Sequence, residues 1–189
     1  MPARSLISVQ FPTGVALALT LLVGAGCETP LAAPLAEPPP TEAHALAATP
    51  HAEVAQDPLL RAVRTATARY HSPQVAEADG FVPNDHCAEI PGVAGMGYHW
   101  NHPGRMDGVF DPLEPEVVIY APGPQGQLEL VAVEYVVLDQ GQERPHFGDH
   151  PFDIGGTPNP NPHWSLHVWL YAENPDGIFE PWNPRITCG

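Results

Sequence analysis

The sequence predicts an α+β domain in which N-terminal helices pack on a mainly antiparallel, curved β-sheet or small barrel. Three observations predict it. Apolar residues recur at helical spacing through residues 57–80. From about residue 94 the pattern changes to alternation interrupted by turn residues. One of the later strands, "QLELVAVEYVVLD", is apolar on both faces, as a central strand must be. Helical segments followed by a run of strands place the helices apart from the sheet rather than between its strands.

The first segment is a leader rather than part of the fold. Arg4 precedes the apolar run Val15–Val23, which is too short to cross a bilayer and ends in Gly24-Ala25-Gly26-Cys27. "VGAGC" resembles a bacterial lipobox, with Gly24 where leucine is usual. On that reading residues 1–26 are a signal peptide and Cys27 is lipidated as the first mature residue. The alternative is an ordinary secretory signal cleaved nearby. Glu28 follows the cysteine, and by resemblance to lipoprotein sorting rules the absence of aspartate there favours the outer membrane. The domain would then face the periplasm or the cell exterior. Residues 27–56 are rich in proline, alanine and glutamate without aromatic residues, which predicts an extended tether. Residues 57–189 remain for a single domain.

Asp57-Pro58 supplies an N-cap and a first-turn proline, and Leu59, Leu60, Val63, Ala66 and Tyr70 follow at helical spacing. A second helical piece runs from Ser72 to a stop at Gly80. Strands are expected at about 94–101, 116–121, 127–138 and 163–171, with a hairpin turn at Gly123–Gly126. The connection between the last two strands is long and rich in proline and glycine. Its His146, Asp149, His150 and Asp153 are read as solvated, or as a lid. Asp107, Asp111, Glu114 and Glu116 lack EF-hand spacing and are read as exposed.

The formal net charge of −15 excludes nucleic acid and anionic lipid surfaces as natural partners. The membrane enters only through the lipid anchor. With Cys27 assigned to lipid, Cys87 and Cys188 remain, and in an exported chain two such cysteines most simply pair.

Chemistry gathers on the strands. In "HWSLHVWLY" the even positions Trp164, Leu166, Val168 and Leu170 form a core face. His163, Ser165, His167, Trp169 and Tyr171 share the other face, expected to turn inward as one wall. In "AGMGYHWN", Met96, Tyr98 and Trp100 form the core face and His99 points the other way, beside glycines. Glu134 shares its face with Leu128, Leu130, Ala132, Val136 and Leu138, where a carboxylate is costly unless paired or metal-bound. His99, Glu134, His163 and His167 therefore form a candidate metal or ligand set suited to zinc, iron, manganese or copper. His163 and His167 are about 13 Å apart along a regular strand, so both reach one ion only if the strand bends. The bland alternative is a polar network, in which Glu134 accepts hydrogen bonds from His99, His167 or Arg105. His86, His102, His146 and His150 lie in turn or loop sequence. There is no GxSxG, Walker A, GxGxxG or HExxH motif.

The blocks "ATARYHSPQVAEADGF", "GMGYHW", "DPLEPEVVIYAP", "LVAVEYVV", "LHVWLY" and "NPDGIFEPWNPRITC" resemble, in order, those of a family of bacterial secreted proteins and lipoproteins without an assigned activity. The resemblance covers about Leu60 to Cys188. It departs at Ser165, where an acidic residue often precedes the "LH" pair, and at His102, usually not histidine. Those departures favour His99, Glu134 and His167 as site residues. Three functional readings stay open: a non-catalytic domain binding a transition metal or small ligand, a small metal-dependent enzyme, and a structural envelope protein whose His/aromatic face is buried in an oligomer.

Overall fold

A computed structural model describes residues 50–156 and 159–189. The leader, Cys27 and the tether up to residue 49 lie outside the described residues. Ordered structure begins earlier than Asp57: helix α1 spans Pro50–Gln56, inside the stretch read as tether, and buries Val54. One apolar anchor among Ala, His and Glu residues leaves almost no periodicity to detect.

Helix α2 (Pro58–Thr67) starts at the expected cap. The Asp57 carboxylate accepts the N–H groups of Leu59 and Leu60 at 2.6 and 3.1 Å, satisfying donors that have no partner within the helix. Leu60 and Val63 are its buried stripe. A 3-10 turn over Ala68–His71 and helix α3 (Pro73–Asp79) follow, ending at Gly80.

Six strands form one antiparallel sheet, curled into a half-barrel: β1 (Cys87–Ile90), β2 (Ala94–Asn101), β3 (Val117–Pro122), β4 (Leu128–Leu138), β8 (His163–Val168) and β7 (Asp153–Ile154), in that spatial order. The four longer strands start within one residue of the expected positions. β1 has no sequence signal of its own, being four residues at an edge. A separate two-stranded ribbon pairs β5 (His146–Phe147) with β6 (His150–Pro151).

On one face of the sheet Tyr120 pairs with Tyr98 and packs against Trp100 with the ring centroids 4.7 Å apart and the planes tilted by 55°, and its hydroxyl donates to the Tyr70 carbonyl at 2.7 Å. The 3-10 turn after α2 is thereby fixed to the sheet. Elsewhere Phe110 packs edge-on against Tyr135 and Phe152, and Tyr135 also neighbours Phe147. Phe147 and Phe152 are buried, so the long connection between β4 and β8 is tied down by aromatic anchors.

β4 does not alternate throughout. Ile119 faces Ala132, yet the next residue, Tyr120, faces Leu130, so Val131 is one residue too many and forms a bulge. Directly opposed residues share a face, which puts Leu130 with Tyr120 and Leu128 with Pro122. The expected grouping of Leu128 and Leu130 with Glu134 is therefore corrected. Beyond the bulge, only Ala132, Val136 and Leu138 share its side. The Val131 carbonyl accepts the N–H groups of both Tyr171 and Ala172 at 3.1 Å.

β8 also ends sooner than the expected residue 171. After Val168, the Trp169 N–H turns to the Ile178 carbonyl and the Leu170 N–H folds back to the Val168 carbonyl. Tyr171 is thereby released from the odd face, and its hydroxyl lies 2.8 Å from both the Arg64 carbonyl and Thr67 Oγ1 on α2. Trp169 alone continues the wall beside His167, their rings nearly parallel at 6.4 Å.

Cys87 and Cys188 form a disulfide with Cα atoms 5.8 Å apart, and the Cys188 N–H donates to Glu89 Oε2 at 2.9 Å. The C-terminal tail is thus held to edge strand β1.

Candidate functional site

Strand register decides what the site contains. Glu134 lies directly opposite His167, and His99 lies opposite Ile119, which in turn opposes Ala132. All five positions turn to the side away from Tyr120. His99 and His167 are three strand spacings apart, about 14 Å in a flat sheet. Their Nε2 atoms nevertheless approach to 3.3 Å, which requires the sheet to curl toward this face. The small side chain of Ala132 lies on β4 beneath them.

Gly97 makes the approach of β2 possible. Its φ of +96° suits glycine, and a Cβ would fall 2.3 Å from the Tyr120 carbonyl oxygen. The Gly97 carbonyl lies 3.2 Å from His99 Nδ1. A carbonyl only accepts, so Nδ1 carries the proton and the neutral His99 ring presents a bare Nε2 lone pair to the cluster. Backbone bonding of one ring nitrogen, leaving the other free, is how metal-bound histidines are commonly held.

Glu134 completes the group. Its Oε2 is 3.6 Å from His99 Nε2 and its Oε1 is 3.9 Å from His167 Nδ1, both too long for hydrogen bonds. The three side chains offer ligand atoms lying within 4.8 Å of one another. Side-chain exposures of 19% for His99, 13% for Glu134 and 6% for His167 describe a recessed site with its opening toward His99.

Burial sets the charge states. It depresses His99 to about 4 and His167 to about 3, with the neighbouring imidazole a lesser contribution in the second case. It raises Glu134 to about 8, helped by the negative charge of Glu116. At neutral pH the metal-free group is therefore uncharged: two neutral imidazoles and a protonated carboxyl. Arg105 does not relieve Glu134. Its guanidinium bonds instead to Asp79, which also takes Arg69, and to the Pro115 carbonyl.

The spacings match a metal's demands. Two bonds of 2.0–2.1 Å meeting at a tetrahedral angle put their donor atoms about 3.3–3.4 Å apart. The observed His99–His167 separation of 3.3 Å falls there; in the metal-free protein it is a hydrogen bond, His167 Nε2–H donating to the bare His99 Nε2, which a metal would replace. The 3.6 Å from His99 to Glu134 needs little adjustment.

His163 does not join the group. It is buried at the start of β8, opposite Leu138, with Nδ1 2.8 Å from the Asn161 carbonyl. Its ring packs so closely on Gly155 that a Cβ there would lie 2.1 Å from it. Among the other sequence candidates, His150 stacks on Phe179 at 4.3 Å, and Asp107 and Asp111 accept N–H groups within their own turns. Glu116 corrects the reading of that acidic cluster as exposed. It is 2% exposed, its carboxylate accepts the Val136 N–H at 3.0 Å, and burial pushes it up to about 8. Clefts of about 710 and 550 Å³ open elsewhere, beside Phe179 and beside Tyr98, and none of the three clustered residues lines either.

No helix among the described residues is long and apolar enough to cross a membrane. No protein-family model, curated protein or solved structure matches the chain at a significant level.

Proposed function

We propose that the domain binds a divalent transition metal through His99, Glu134 and His167, and that the chain carries this site into the cell envelope as an exported lipoprotein. The observation that supports the metal is the pairing of a locked His99 tautomer with donor spacings of 3.3 and 3.6 Å. A hydrogen-bonded network would draw Glu134 within 3.2 Å of a histidine nitrogen, and it stands farther off from both. Two nitrogens and one oxygen suit zinc, copper, iron or manganese, in an order that favours the first two when they are available. The lipobox-like "VGAGC", the Cys87–Cys188 pairing and the resemblance to secreted proteins and lipoproteins support the compartment.

Binding rather than catalysis is the reading we favour, because neither of the two clefts described above opens over the three residues. Three protein ligands do leave coordination positions open, as a metal-dependent enzyme requires, and that is the second reading. Elemental analysis of untagged protein tests the metal. One equivalent of a transition metal retained through gel filtration is expected, and a metal content near zero after incubation with zinc and copper would refute the proposal.

A further inference from the structure

Between Val82 and Cys87 lies a short arch. Val82 is bridged to Asn101, and Cys87 is paired with Tyr98. Four residues, Pro83 to His86, therefore span a stretch that β2 crosses in two, His99 and Trp100, and the surplus must bow outward. The His86 N–H donates to Asn84 Oδ1 at 3.0 Å, which fixes the turn within the arch. Its far end is fixed covalently, because Cys87 carries the disulfide.

Antiparallel pairing sets where His86 emerges. The ladder ends at the Cys87–Tyr98 pair, and one further step of the same antiparallel register would set His86 beside His99 on the same face. His86 is exposed, whereas His99 is the most open of the three clustered side chains. His86 stands outside the group whose ligand atoms lie within 4.8 Å of one another, so its ring must swing inward to join them.

Building on the metal reading above, we propose that His86 is the fourth ligand, closing over the open side of His99, Glu134 and His167 to complete a three-imidazole, one-carboxylate site for zinc or copper(II). The sequence suggested the same composition with His163 in this role. That ring is held by Asn161 and Gly155 about 13 Å away along β8. A ligand on a solvent-facing arch differs from three on strands: it can leave and return without disturbing the sheet, so it controls loading and release.

The test is copper(II) bound to the untagged chain, read by pulsed electron paramagnetic resonance, which counts coordinated imidazoles. Three are expected in wild type, two in His86→Ala and three in His163→Ala. Zinc affinity should fall in His86→Ala by at least about tenfold, since loss of outer-sphere partners alone costs that much. His86→Gln, which keeps the bulk of the arch, should show the same loss. Two imidazoles in wild type with unchanged affinity in both His86 variants would remove His86 and leave the other three ligands standing. Loss of an imidazole in His163→Ala would reassign the fourth ligand. Failure of wild type to take up one equivalent would overturn the three-residue site itself.

Discussion

The Nε2 atoms of His99 and His167 lie 3.3 Å apart although β3 and β4 run between the strands that carry them. Only the curl of the sheet brings them together, so their separation depends on every spacing from β2 to β8. A site built this way is rigid because the backbone ladder is rigid, and no flexible loop contributes to its first three residues.

Glu134→Gln should abolish stoichiometric zinc or copper binding and leave the fold intact, as read by titration calorimetry and circular dichroism. Its oxygens have no hydrogen bond to either histidine, so the amide strands no partner. The metal-free variant should be at least as stable as wild type at pH 8, because it no longer has a buried carboxyl to ionise. Wild-type metal affinity in the variant would contradict the assignment.

The metal-free protein should be most stable between about pH 4.5 and 6.5. His99 and His167, lowered from 6.5 to about 4 and 3, leave the unfolded chain holding more protons below 6.5, so stability drops as pH falls through that range. Glu134 and Glu116, raised from 4.5 to about 8, leave the folded chain holding more protons above 4.5, so stability drops as pH rises through 8. Two protons oppose two between 4.5 and 6.5, and the pairs act alone outside that window. Denaturant midpoints in a chelating buffer should therefore fall from pH 6.5 to 8, and added zinc should reduce the fall. A midpoint rising across that interval without metal would refute the charge states.

Cys188→Ser should destabilise the domain by up to about 4–5 kcal/mol, the chain-entropy value for a loop closed across a sequence separation of 101 residues. Urea denaturation measures it. Thiol titration of the denatured, unreduced domain lacking Cys27 should find no free thiol, and two would refute the bridge.

Cys27→Ser should shift the chain from the membrane fraction to the soluble periplasmic fraction. A wild-type chain already soluble there would remove the lipid anchor and leave the ordinary secretory signal.

Much of this architecture can be read from local pattern. Asp57-Pro58 marks α2, and alternation locates β2 and β4 with His99 and Glu134 on a face apart from Trp100. What local pattern cannot carry is anything set by a distant partner. The early end of β8 depends on the Ile178 carbonyl, the place of Tyr171 depends on α2, and the burial of Glu116 depends on the Val136 N–H. His86 belongs to the same class: its position follows from the Val82–Asn101 bridge and the disulfide, neither of which leaves a periodic trace. His163 misleads for the opposite reason, since alternation gives it the right face at the wrong distance.

The extra residue at Val131 has a consequence for how this chain tolerates change. Because β4 reverses its facing there, the segments before and after it are read in opposite phase. Deleting Val131 itself would remove the bulge and keep every pairing, with Leu130 still opposite Tyr120 and Ala132 still opposite Ile119. Deleting Tyr135 instead, with the bulge absorbing the loss, would move Glu134 one place along the strand and turn it to the Tyr120 side. The spare residue is therefore slack that the strand can give up at one place only, and where a residue is lost decides whether the histidine side keeps its carboxylate.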